Sequence, residues 1–263
     1  METVRANGLR VAYERVGEGP PLVLVHGAGV DGRIWQPQVS ALAGEFTVVA
    51  WDEPGAGRSD DVPAGFGLAG YAHCLGALID ALALGPAHVA GLSWGGTVVL
   101  ELYRHHPECV ATLILADTYA GWKGSLSAED VQARIEGVRK MLAAEQRYDP
   151  PGLFAGDPPS AFAHLLEEMT TAARPESLWT QLSVMAQADQ RDLLPTIAVP
   201  SLLIWGESDA RSPLSIARQF KETIPGAELV VIPGAGHVSN LEQPGPFNDA
   251  LRRFCRDHPP KPA

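Results

Sequence analysis

Cysteine is scarce in this chain, with three in 263 residues. Cys74, Cys109 and Cys255 are odd in number and show no CxxC spacing, so neither a disulfide framework nor a zinc site is indicated; three free thiols are expected, with no metal. No apolar run reaches the length of a membrane span. Met1-Glu2-Thr3-Val4-Arg5 lacks the basic and apolar regions of a signal peptide, which makes a cytoplasmic protein the expectation. Positive charge is in deficit: 20 Lys and Arg stand against 31 Asp and Glu, a net charge of −11 that disfavours nucleic acid and anionic membranes as partners. Internal repeats and low-complexity tracts are missing too. What is left is an ordinary length for one α/β unit, enough to bury a large core without staples.

Against these absences stands Val89-Ala90-Gly91-Leu92-Ser93-Trp94-Gly95-Gly96-Thr97. Ala87-His88-Val89-Ala90 reads as a short buried strand. From Thr97 through Tyr103 an apolar pattern reads as a buried helix that Pro107 ends. A Gly-x-Ser-x-Gly between strand and helix puts the serine at the apex of a sharp turn that needs glycine on either side, and leaves its hydroxyl exposed as a nucleophile. The backbone N–H of Trp94, at the start of that helix, is then a candidate oxyanion donor.

Other runs supply partners. Leu22-Val23-Leu24-Val25 reads as a buried parallel strand leading into His26-Gly27-Ala28-Gly29, where the N–H of Ala28 is the candidate for a second oxyanion donor; a plain strand-to-helix turn is the alternative. Phe46 to Trp51 is another strand, and the Asp52 and Arg58 of the loop that follows are expected to brace it. Ser201 to Trp205 ends in Gly206-Glu207-Ser208-Asp209, and Leu229 to Ile232 leads into Pro233-Gly234-Ala235-Gly236-His237. Asp209 suits an acid that orients a histidine, and His237 suits the base. Asp117, ending the strand Ala111–Ala116, is the alternative acid, or else caps the segment that follows.

In the order Ser93, Asp209, His237, with the loops His26-Gly27, Asp52-x-Pro54-Gly55-x-Gly57-x-Ser59 and Gly236-His237, the chain resembles the α/β-hydrolase superfamily along nearly its whole length. Within it the look is that of small bacterial carboxylesterases and enol-lactonases. The resemblance implies an α/β fold with a mostly parallel, doubly wound, eight-stranded sheet, no cofactor, and a catalytic triad of Ser93, His237 and Asp209.

Between Thr118 and Pro195 the strand–helix alternation stops. Patterns such as Val131-Ile135-Val138-Leu142 and Phe162-Leu165-Leu166-Met169 read as three or four short helices joined at Asp149-Pro150-Pro151-Gly152 and Asp157-Pro158-Pro159. The expectation is a helical cap, 118–195, inserted after the sixth strand into a core formed by 1–117 and 196–258, with 259–263 a disordered tail. Trp122, Trp179, Leu182 and Met185 are candidates for a substrate wall, with plain core packing as the competing reading.

The chemistry expected of these residues is hydrolysis of a small to medium carboxylic ester or lactone. Cleavage of a carbon–carbon bond or peracid formation by the same triad is an alternative. So is a ligand-binding relative without turnover, which would have no reason to retain all three triad members.

Overall fold

The computed structural model describes residues 1–260. Eight strands form one sheet in the order β1-β2-β4-β3-β5-β6-β7-β8. Six of them, β3 (Pro21–Val25), β4 (Thr47–Asp52), β5 (Ala87–Leu92), β6 (Val110–Ala116), β7 (Ser201–Gly206) and β8 (Glu228–Ile232), run parallel and match the apolar runs read from Leu22 onward. The remaining two, β1 (Glu2–Ala6) and β2 (Leu9–Val16), form an antiparallel hairpin that joins the sheet along β4. Its turn is Asn7-Gly8, with φ of +47° and +85°, a pair whose left-handed backbone matches the twist of the flanking strands. That dipeptide is the signal by which the sequence reveals the hairpin.

The central strands are apolar at most positions because both faces are covered, and the buried His88 of β5 is hydrogen-bonded to the Thr112 hydroxyl of β6 at 2.8 Å. In β3, Val23 and Val25 pack into one core cluster with α2 (Leu68–Ala81), α3 (Trp94–His105) and α8 (Leu214–Thr223). Leu22 and Leu24 pack into the other with α1 (Gln36–Leu42) and α10 (Pro244–Asp257). From β3 the chain moves to one side for β4 and to the other for β5, so the strand order reverses there. A crevice opens at the carboxyl ends of strands at such a switch point, and the His26 loop and Ser93 both emerge into it.

Between β6 and β7 lie α4 (Trp122–Ser125), α5 (Ala128–Ala143), α6 (Ala163–Ala172) and α7 (Pro175–Gln187). Ser127 caps α5, its Oγ accepting the Asp130 amide at 3.1 Å. Arg174, just before α7, donates to the carbonyls of Gly55 and Ser59 at 3.0 and 3.1 Å, fastening α7 to the loop after β4. The three cysteines are buried free thiols. Among the described residues no helix is long and apolar enough to cross a membrane. The expected tail at 259–263 lies mostly outside the described residues, which end at 260.

Candidate active site

Ser93 joins β5 to α3 with φ +53° and ψ −117°, a conformation that costs on the order of 1–3 kcal/mol for a non-glycine residue. The surroundings enforce it: the Ser93 amide donates to the Ala116 carbonyl of β6 at 2.9 Å, and the Thr118 hydroxyl donates to the Ser93 carbonyl. A Cβ on Gly91 would run into the backbone of Gly95, and one on Gly95 into the carbonyls of Val25 and His26. Glycine at both places is therefore what lets α3 begin against the end of β3.

His237 follows β8. Its Nε2 lies 2.8 Å from Ser93 Oγ and its Nδ1 2.8 Å from Asp209 Oδ2. Asp209 directs its other oxygen to the backbone amides of Arg211 and Ser212, at 2.8 Å each. With Nδ1–H donating to the carboxylate, Nε2 is left to accept the serine proton. Burial pushes the imidazole below its ordinary value of 6.5, with the charge of Asp209 opposing.

Asp117 does not reach His237. At φ +46° it turns back, accepting the Gly206 amide at 2.8 Å and the Ser239 hydroxyl and amide at 2.5 and 3.3 Å. It does not cap the segment that follows it, where Gly121 precedes α4, but accepts the first amide of α9 (Ser239–Glu242), just beyond His237, and ties it to the start of the Asp209 loop. Burial, reinforced by the nearby Asp209 charge, raises its carboxyl well above the usual range. Asp52 braces its loop as expected, accepting the amides of Gly32 and Arg58 at 3.0 and 2.9 Å. Arg58 takes part through its backbone, while its side chain is exposed.

Of the two oxyanion candidates, Ala28 lines the cavity beside Ser93. Trp94 contributes the first amide of α3, and its ring is buried behind the elbow. Among the described residues neither amide meets a backbone acceptor.

The cavity above Ser93 and His237 has a volume of about 360 Å³ and is walled by apolar side chains that include Ile34, Phe154, Leu166, Leu182 and Met185, with Trp122. Three of the four proposed wall residues are there. Trp179 is not: it sits half-buried against the core beneath the Arg139 guanidinium, 5.3 Å from its ring. Trp179 and Leu182, three residues apart on α7, lie on the same general face of the helix, and only packing decides that Leu182 meets the cavity while Trp179 stacks on Arg139. Several residues of the site carry no local sequence signal. Tyr119 packs beside His237, ring centres 6.0 Å apart, and Arg134 reaches from α5 to donate to the Tyr119 hydroxyl at 3.0 Å. Among the described residues no cluster of three or more His, Cys, Asp or Glu could hold a metal ion.

Residues 22–250 match the model of the alpha/beta hydrolase family. The chain is 31% identical to a putative carbamate hydrolase RutD of Yersinia enterocolitica, covering 92% of this chain and 91% of that protein. To a pimeloyl-[acyl-carrier protein] methyl ester esterase of Chromobacterium violaceum it is 32% identical, covering 92% and 97%. In structure it is similar to a thermophilic esterase from Thermogutta terrifontis, with TM-score 0.85 and 30% identity over 98% of this chain and 100% of that one.

Proposed function

The chain belongs to the alpha/beta hydrolase family, and from that membership and the geometry above we propose that it is a serine hydrolase cleaving carboxylic esters or lactones of small to medium substrates through an acyl-enzyme. The observation that carries this reading is the unbroken chain from Ser93 Oγ through the His237 ring to Asp209, two contacts of 2.8 Å each on the floor of an apolar cavity.

In this mechanism His237 takes the proton of Ser93 as its oxygen attacks the carbonyl, and Asp209 stabilises the imidazolium that forms. The amides of Ala28 and Trp94 hold the oxyanion, each worth about 3 kcal/mol in comparable sites. The histidine returns the proton to the leaving alcohol, and water activated by the same ring releases the acid. The 360 Å³ cavity lies near the lower end of the roughly 300–1,000 Å³ typical of small-molecule pockets, which favours small and medium acyl groups. Residues 118–195 act as a cap that walls this cavity, and the protein works in the cytoplasm without a cofactor.

Hydrolysis of p-nitrophenyl acetate and butyrate, with and without a fluorophosphonate, tests the reading. Turnover that the fluorophosphonate abolishes by modifying Ser93 is expected. A protein that neither hydrolyses these esters nor is labelled at Ser93 overturns it.

A further inference from the structure

Behind the two amides assigned to the oxyanion lies a carboxyl group that the mechanism leaves unused. Glu53, one residue past Asp52, is fully buried. The Trp94 indole N–H donates to its two oxygens at 2.8 and 2.9 Å, and Gln181 of α7 donates its Nε2 to Oε1 at 2.5 Å. The amide oxygen of Gln181 in turn accepts the backbone N–H of Gly29 at 3.3 Å. The Glu53 amide donates to His26 Nε2 at 3.1 Å; a peptide N–H can only donate, so this nitrogen is the bare one and Nδ1–H points to the Gly27 carbonyl at 2.8 Å.

The network therefore touches both halves of the oxyanion hole. One end is the side chain of Trp94, whose own amide is one donor. The other is the amide of Gly29, adjacent to the donor Ala28. Gln181, the link between them, comes from the segment inserted between β6 and β7. Two donors, the Trp94 indole N–H and the Gln181 amide, reach the carboxyl through three contacts, and both are neutral. Burial pushes Glu53 well above the usual carboxylate range, which favours the protonated form that glutamine imitates.

We propose that Glu53 is a positioning residue for the oxyanion hole: its carboxyl couples the Trp94 side chain, through Gln181, to the Gly29 amide, so that both donors are aligned only when α7 is docked. The proposal rests on the serine-hydrolase reading. Oxyanion stabilisation depends on donors held within hydrogen-bond reach of the place where charge develops, so a loosened network weakens the transition state more than the bound substrate.

The test uses the full chain carrying Glu53→Leu, Glu53→Gln or Gln181→Leu, with p-nitrophenyl butyrate kinetics and hydrogen exchange of amides 26–30. Glu53→Leu and Gln181→Leu are expected to lower kcat by about 10–100-fold, part of the loss seen when a whole donor is removed, with KM within about 2-fold. Exchange at 26–30 should quicken in both. Glu53→Gln should keep kcat within about 3-fold of wild type, because its amide oxygen still accepts from Trp94 and Gln181. An unchanged kcat in both leucine variants, a rise confined to KM, or a Glu53→Gln defect equal to that of Glu53→Leu would overturn the proposal. Should Glu53→Leu fail to fold, Gln181→Leu carries the same decision. Failure of the wild type to hydrolyse any ester would fell the hydrolase reading alone; exchange at 26–30 would still decide whether Glu53 and Gln181 hold that loop.

Discussion

The backbone amide of His237 donates to the carbonyl of Leu153 at 2.8 Å. The candidate base is thus tied to the segment between β6 and β7, and that segment contributes more than a wall. The contact is close: a Cβ on Gly236 would lie 2.6 Å from the Ala155 nitrogen and 2.7 Å from the Phe154 carbonyl carbon. Gly236→Ala should push residues 153–155 away from His237. A loss of about 1–3 kcal/mol in thermal or denaturant unfolding is expected for such overpacking, together with a lower kcat on a short ester; wild-type values of both would show that the segment yields freely.

Ser93→Ala should abolish ester turnover, with a loss on the order of 10⁴-fold or more, since triad members act as a unit. Ser93→Gly should be equally inactive but more stable than Ser93→Ala by about 1 kcal/mol, because glycine accepts the positive φ without strain. Circular dichroism melts compare the two variants. Ser93→Ala with more than about a tenth of wild-type activity would remove the serine from its assigned role.

Asp209→Asn should cost on the order of 10³–10⁴ in kcat, because an amide facing His237 Nδ1 favours the tautomer that cannot accept the serine proton. Asp117→Asn should cost far less activity, since Asp117 contacts Gly206 and Ser239 and not the imidazole. Steady-state rates of both variants on one ester decide the matter, and the opposite ranking would transfer the acid to position 117.

The pH dependence follows from the sign of one shift. Burial lowers the pKa of His237 from its ordinary 6.5, so the neutral, active ring persists to lower pH than in a free histidine. kcat/KM on a short ester is expected to be full above that ordinary value and to fall through a single ionisation as pH drops through the lowered one. A midpoint above 6.5 would contradict the assignment of the buried ring as base.

Trp122→Ala, Leu182→Ala and Met185→Ala should each change the ratio of kcat/KM between short, long and aromatic acyl chains, in graded steps of about 1–3 kcal/mol per lost methylene contact. Trp179→Ala should leave the ratio unchanged, since Trp179 lies outside the cavity beneath Arg139. A panel of p-nitrophenyl esters reads both effects. Equal profiles in all four variants would place the acyl group elsewhere.

The sequence by itself determined the parallel strands and the ends at which the chemistry-bearing residues sit. A strand covered on both faces is mostly apolar, as Leu22–Val25 is throughout, and a turn as tight as the one at Ser93 admits only glycine at Gly91 and Gly95; both constraints act within a few residues and so are written locally. Only the tertiary structure shows which of Asp209 and Asp117 meets His237. Both follow strands in plausible loops, and the choice depends on which carboxylate the fold brings to His237. The same holds for Trp179, which shares a helix face with Leu182 yet stacks on Arg139 instead of lining the cavity, and for Glu53, an acidic residue beside Asp52 that gains meaning only when Trp94 and Gln181, 41 and 128 residues distant, close on it. Contacts over such separations arise from the packing of whole elements, and no local pattern of residue types encodes them.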